Sequence, residues 1–241
     1  MKIGVLCEGE NTDAPVIKLL LEHIFPQVSF SIKGVTKEVI FKAGDLELHE
    51  MFVKKGVDRA VIVWDLLPIG NQMGISCQWS DDKASRSEQR HMLLKKLWES
   101  EQLADYLRRQ AQYLGYRYQF YAESEVQPPH GKDDLFKLIC VCYACDGWLL
   151  ADGVLLKDLA SSRERQANRY NPPHPDQCTN PAGELKRYFG QGHNRRLKYF
   201  NKSNHNEVIA QAYIQNGKVE KLETSRSFQR LVQAVRDWVG A

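Results

Sequence analysis

Two short runs of uninterrupted apolar residues stand out along the chain. Lys2-Ile3-Gly4-Val5-Leu6-Cys7 runs into Glu8-Gly9, and Asp58-Arg59-Ala60-Val61-Ile62-Val63-Trp64 ends on Asp65. A strand without polar alternation is covered on both faces, as in a parallel or mixed sheet. After the first run, Thr12 or Asp13 can cap a helix with Pro15 among its first residues and Val16, Leu19, Leu20, His23 and Ile24 on one side. Val28-Ser-Phe30-Ser-Ile32 alternates like a half-buried strand. Val39-Ile40-Phe41 reads as a continuation of that strand region, and Leu46, Leu48, Met51 and Phe52 fit a helix ending near Gly56.

Residues 66–89 have no sustained period and read as a long surface insertion. Leu93, Leu94, Leu97, Leu103, Leu107 and Ala111 then predict a helix from about Ser87 to Leu114, with a break near Glu99-Ser100. Gly115 stops it, and Tyr116 to Ala122 reads as a third strand, followed by a polar loop from Glu123 to Lys132. The apolar density from Leu135 to Leu150 suits a buried helix, with a buried strand around Ile139–Tyr143 as the alternative. Beyond Val154 the pattern predicts a short helix, a stiff Pro172-Pro173-His174-Pro175 elbow, and a helix capped by Asn180 with Pro181 at its first position. Amphipathic helices follow at Glu207–Ile214 and Ser227–Val239. The fold class is therefore α/β: a central sheet flanked by helices over residues 1–152, with a basic, mainly helical C-terminal region, 153–241, packed on that core.

Composition alters this picture in two ways. The 241 residues are 43 % hydrophobic, enough for a substantial core, and their apolar runs are too short to cross a bilayer. Net charge is +3, but residues 1–152 carry 18 basic and 22 acidic side chains, whereas residues 153–241 carry 15 basic and 8 acidic. An acidic first part and a basic tail suit a metal-holding core with a phosphate-binding region attached. Six cysteines do not make a disulfide scaffold, and Cys140, Cys142 and Cys145 read as buried thiols. With no secretory segment evident, the expected setting is cytoplasmic.

The candidate chemistry sits where strands end. Glu8 and Asp65 each close a predicted parallel strand, and open α/β sheets bind ligands in the crevice at that end. Two such carboxylates repel unless a cation or proton intervenes, which makes them candidate ligands of one divalent ion. In Asp146-Gly147-Trp148-Leu149-Leu150-Ala151-Asp152 two more carboxylates flank apolar residues. A buried carboxylate needs a partner, so Asp146 and Asp152 join the candidate metal ligands. Arg195, Arg196, Lys198, Lys202 and His205 interleave with Tyr199 and Phe200, a pattern that can neutralise phosphates and stack a base.

Taken together, these residues resemble the toprim arrangement of topoisomerases, primases and several nucleases. More closely, the chain is similar to domain-of-unknown-function family 4276, a toprim-related bacterial family. The similarity lies in the first strand with its Glu8-Gly9 turn, Asp146-Gly147-Trp148-Leu149-Leu150-Ala151-Asp152, Asn180-Pro181 before Glu184-Leu185-Lys186, Tyr199 with Lys202 and His205, and Ser227-Phe228. The resemblance implies a toprim-like core, Glu8 as the catalytic acid–base group and Asp65 as a ligand of Mg²⁺ or Mn²⁺. It also implies a nuclease acting on DNA or RNA, with an ATPase partner in antiviral defence. The toprim pattern places a second aspartate two residues after the first, where this chain has Leu67. Either Asp146 or Asp152 then supplies the missing ligand, or the protein is a degenerate interaction or nucleic-acid-binding module.

Overall fold

The computed structural model describes residues 1–66, 82–113, 135–160, 171–190 and 201–240. Four strands, β1 (Lys2–Glu8), β2 (Ser29–Val35), β3 (Arg59–Asp65) and β4 (Phe136–Val141), form one sheet in the order β2-β1-β3-β4. Each neighbouring pair is parallel, with Val5 opposite Val61 and Asp65 opposite Val141. The predicted strand at Tyr116–Ala122 and the loop after it lie outside the described residues.

Pleating divides the strands between two layers. Ile3, Val5 and Cys7 of β1 join Val61 and Val63 of β3 in one core, covered by α1 (Asp13–Ile24), α7 (Lys202–Gln215) and α8 (Arg226–Val239). Leu6, Ile62 and Trp64 face the opposite core, with α2 (Lys37–Val53), α3 (Asp82–Glu99) and α4 (Glu101–Tyr113). Apolar residues at successive positions thus serve both layers, which is why β1 and β3 show no polar alternation. The first core also takes in residues of α5 (Gly153–Ala160) and α6 (Pro181–Gly190). No helix among the described residues is long and apolar enough to cross a membrane.

Three sequence expectations change. Val39-Ile40-Phe41 belongs to helix α2: the Thr36 hydroxyl accepts a hydrogen bond from the Val39 N–H at 3.3 Å. Ile40, Gly44, Leu48 and Phe52 then recur every fourth residue on its buried side. The run expected as a buried helix from Leu135 to Leu150 instead divides into β4 and a 3₁₀ turn, Cys145–Leu150. Its apolar residues satisfy the two layers of a parallel strand, and pairing with β3 decides between the alternatives. The insertion expected over 66–89 already contains the first residues of α3, and residues 67–81 lie outside the description. The predicted break at Ser100 does separate α3 from α4.

Two glycines shape the crossing from β1 to α1. Gly9 has φ of 78°, in the left-handed region, and its carbonyl accepts from the Asp13 and Ala14 N–H groups at 3.1 and 3.0 Å. Gly34 lets β2 pass close beneath this turn; a Cβ there would lie 2.3 Å from the Glu10 Cα.

Candidate metal centre

The backbone cap from Gly9 has a consequence for Asp13. Neither Thr12 nor Asp13 is needed as a side-chain cap, and Thr12 makes no such bond. Asp13 is 2 % exposed, its carboxylate turned inward at the carboxyl end of the sheet. There it meets Asp65 from the end of β3 and Cys145 from the turn after β4. One ligand atom from each lies within 4.8 Å of the others. Asp65 Oδ1 also accepts the Cys145 N–H at 2.8 Å, locking the end of β3 to that turn.

Two lysines surround this group. Lys202, the first residue of α7, places its ammonium 3.2 Å from Asp13 Oδ1 and 3.1 Å from Asp146 Oδ2. Asp146 Oδ1 accepts a hydrogen bond from Asn206 Nδ2 of the same helix. Lys37, at the start of α2, donates to the carbonyls of Asp65 and Leu66, the latter at 3.0 Å. The 3₁₀ turn carrying Cys145 and Asp146 is anchored by Trp148, whose Nε1 donates to Ser227 Oγ at 2.8 Å. The Trp148 ring packs edge-on against Phe228 with centroids 5.2 Å apart, an arrangement worth about 0.5–1.5 kcal/mol beyond burial.

Charge in this space is tightly managed. Burial is the main force pushing the Asp13 carboxyl up to about 7; Lys202 opposes it, while Asp146 and Glu8 add to it. Burial likewise raises Asp65, reinforced by the negative charges of Asp13 and Glu8. The Cys145 thiol is driven well above its usual range by burial and then by Asp65 and Asp13. It therefore stays protonated and is a poor ligand in that form. For Lys202, burial works against the charge, but Asp13, Asp146 and Asp65 outweigh it, so its ammonium is held more firmly than usual.

The structure sorts the sequence candidates. Glu8 continues the Gly4 and Leu6 side of β1, whereas Asp65 continues the Val61 and Val63 side of β3. The two meet through the backbone: Glu8 Oε2 accepts the Asp65 N–H at 3.2 Å. Asp13 thus takes the place beside Asp65 that sequence reasoning expected Glu8 to hold. Glu8 sits at the rim, its carboxyl raised by burial against the lowering influence of Lys37, the Asp65 N–H and Lys202. Asp146 reaches the group through Lys202.

Asp152 is placed elsewhere. Its Oδ1 accepts from the Val154 and Leu155 N–H groups at 2.8 and 3.0 Å, and its Oδ2 pairs with Lys218 at 3.0 Å. It caps α5, and the expectation that it ligates a metal gives way to that role. Lys202, expected to contact phosphate, is committed to Asp13 and Asp146 instead. His205 Nδ1 accepts the Asn201 N–H at 2.7 Å, closing the first turn of α7. Arg195, Arg196 and Lys198 lie outside the described residues.

Sequence reasoning passed over Asp13 as a helix cap, Cys145 as a core thiol, and Lys37 altogether. For Asp13 the available signal was the adjacent Thr12, a second capping residue that left one of the pair to be explained. Among the described cysteines, Cys7, Cys145 and Cys178 are free thiols. No family model matches the chain, and neither a curated protein nor a solved structure matches it.

Chemically, the group can coordinate a metal ion. Glu8, Asp13, Asp65 and Asp146 bring four carboxylates to this end of the sheet, and Lys37 and Lys202 bring two ammonium groups. Fully ionised, the set carries −2, the charge that one divalent cation cancels. Carboxylate oxygens suit a hard ion.

Proposed function

We propose that the chain is a divalent-cation-dependent phosphodiester hydrolase acting on nucleic acid, working with an ATPase partner in antiviral defence. One observation carries the chemistry: Asp13 and Asp65, far apart in sequence, are held together at the carboxyl end of a parallel sheet. The toprim resemblance supplies the nucleic-acid substrate and the ATPase.

In this reading Asp13 and Asp65 hold Mg²⁺ or Mn²⁺, and Lys202 fixes Asp13 and Asp146 in place. When bound, such an ion supplies polarisation of a phosphate oxygen and activation of water. Glu8, its carboxyl raised by burial, exchanges the proton at the rim. Lys37 holds the last carbonyls of β3 and so fixes the backbone from which Asp65 projects.

A second reading is favoured by burial. Asp13, Asp65 and Asp146 are only 2 %, 4 % and 2 % exposed, so a bound ion would be structural and the protein an interaction module. A cleavage assay decides between the two. Purified protein is incubated with single- and double-stranded DNA and RNA in Mg²⁺, Mn²⁺ or chelator, alone and with a copurifying ATPase. Cleavage is expected with metal and lost in chelator, Glu8→Gln, Asp13→Asn and Asp65→Asn. If the wild type cleaves nothing under any condition yet still binds Mn²⁺, the structural reading replaces the enzyme.

A further inference from the structure

The proline elbow is tied to the turn that carries Cys145 and Asp146. Its residues Pro175–Gln177 form a short 3₁₀ turn, entered from His174, whose Nδ1 accepts the Asp176 N–H at 3.2 Å. The half-buried Asp176 carboxylate then reaches the start of α8 with both oxygens. Its Oδ2 accepts the Arg226 N–H at 2.9 Å, and its Oδ1 accepts the Ser225 hydroxyl at 2.8 Å. Ser225 stands at the capping position of α8, yet its hydroxyl makes no capping bond. Asp176 caps the helix in its place, which leaves the buried Ser225 side chain available for a different set of bonds.

Those bonds form a chain. Ser225 Oγ lies 2.9 Å from Ser227 Oγ, which accepts the Trp148 indole N–H at 2.8 Å. A hydroxyl has one hydrogen, and that of Ser225 goes to the Asp176 carboxylate, which only accepts. Ser227 therefore donates to Ser225, while the indole, which only donates, fills the Ser227 oxygen. The four groups are polarised one way, from Trp148 to Asp176, and each bond strengthens the next. A second contact reaches the same turn: the Pro175 carbonyl passes over Gly147, where a Cβ would lie 3.1 Å from its oxygen. The elbow thus holds Gly147 and Trp148, the two residues that follow Asp146. Packing on Phe228 buries the Trp148 ring, and the hydrogen bond fixes where its nitrogen lies.

We propose that Asp176 is a positioning residue for the candidate metal centre. Through Ser225, Ser227 and Trp148 it sets the place of the turn from which Cys145 and Asp146 project. Asp65 accepts the Cys145 N–H at 2.8 Å, and Lys202 holds Asp146 at 3.1 Å. A small slide of the turn would upset both contacts, because hydrogen bonds weaken steeply with distance and angle. Groups that bond to the residues around a metal orient its ligands and tune its affinity. Here the chain runs back to a residue of a separate segment, so cutting it leaves the carboxylates chemically unchanged and misplaces them. The metal part of this inference rests on the proposed function; the placement of the turn does not.

The test uses the full chain with two readouts. Nuclear magnetic resonance in chelator follows the Trp148 indole N–H, assigned by its absence in Trp148→Phe, and hydrogen exchange at the Cys145 amide. Titration calorimetry then measures Mn²⁺ affinity. Ser225→Ala cuts the chain and keeps the Arg226 N–H bond to Asp176, so α8 retains its start. It should shift the indole resonance and speed exchange at Cys145 about fivefold, the effect of one hydrogen bond. The Val5 and Val61 amides of the sheet should exchange as in wild type. Mn²⁺ affinity should fall about tenfold. Ser227→Ala, which takes the acceptor from the indole directly, should do at least as much and carries the test should Ser225→Ala fail to fold. The Asp176→Ala/Ser225→Ala double variant should lose less than the two single losses combined, since both cut one chain. An unchanged indole resonance and Cys145 exchange in Ser225→Ala and Ser227→Ala overturn the proposal. So does exchange that speeds equally across the sheet, a general loss of stability, or wild-type Mn²⁺ affinity in variants whose turn has loosened. If the wild type binds no Mn²⁺ while these variants still loosen Cys145, the metal reading fails and the positioning of the turn stands.

Discussion

Asp65 and Cys145 are joined by a single hydrogen bond, 2.8 Å from the Cys145 N–H to Asp65 Oδ1, and that bond assembles the candidate metal centre. It ties the last residue of β3 to the turn after β4. The same carboxylate lies beside Asp13 and the Cys145 sulfur. Its acceptance of a backbone N–H offsets part of the cost of burying it. The bond also brings the next residue, Asp146, to where Lys202 can span it and Asp13.

Cys145→Ser distinguishes the oxygen ligands from the sulfur. With its thiol held protonated by burial and by the neighbouring carboxylates, Cys145 contributes little to a hard ion. Titration calorimetry should show Mn²⁺ affinity within about threefold of wild type, because Asp13 and Asp65 carry it. Zn²⁺ affinity should fall more than about tenfold, since a softer ion draws on the thiolate. A large loss of Mn²⁺ binding would mean that sulfur is a principal ligand.

Lys202→Met removes the ammonium between two buried carboxylates. Leaving Asp13 and Asp146 without it should destabilise the fold by about 2–4 kcal/mol, somewhat below a fully buried pair because the lysine side chain is 30 % exposed. Divalent ions should then stabilise the variant more than the wild type, as the ion takes over the neutralising role. Thermal unfolding with and without Mn²⁺ measures both effects. Equal shifts in the two proteins would argue against cation binding among these carboxylates.

Asp152→Asn isolates a cap from the metal centre. Burial alone would raise the Asp152 carboxyl, but the N–H groups of Leu155 and Val154 and the Lys218 ammonium hold it below its usual value. A depressed folded-state value gives stability that is present above the unfolded value, near about 3.9, and is lost as pH falls through the folded one. Asp152→Asn keeps the cap, since its Oδ1 still accepts those N–H groups, but removes the pairing with Lys218; it should therefore cost up to about 1 kcal/mol at neutral pH and flatten the acid limb of the stability profile below about pH 4. Denaturant titrations across pH read this directly. Mn²⁺ affinity should be unchanged; a loss of about tenfold would restore Asp152 to the ligand set.

Local periodicity was enough to reveal the parts of the chain whose burial repeats along it. Strands β1 and β3 were legible because residues facing both layers are apolar. The final helix was legible because Phe228, Leu231, Val232, Val235 and Trp238 recur at helical spacing. The Asn180 cap was legible as well, its Oδ1 accepting the Gly183 N–H at 3.0 Å. The strand-end positions of Glu8 and Asp65 could also be read from the chain, since an acid closing an apolar run needs no knowledge of the fold.

Partnership, by contrast, emerged only from the folded arrangement. Periodicity reports that a residue is buried, not what lies opposite it, so the segment from Leu135 remained strand or helix until β3 paired with it. The same holds for charge. Asp13, Asp65, Asp146 and Lys202 are spread over most of the chain, and parallel crossovers bring them to one end of the sheet. Pleating then turned Glu8 and Asp65 to different layers, a consequence of strand register that neither local sequence contains. Asp13 became a candidate ligand because the Gly9 carbonyl had already satisfied the start of α1, leaving its carboxylate free to turn inward.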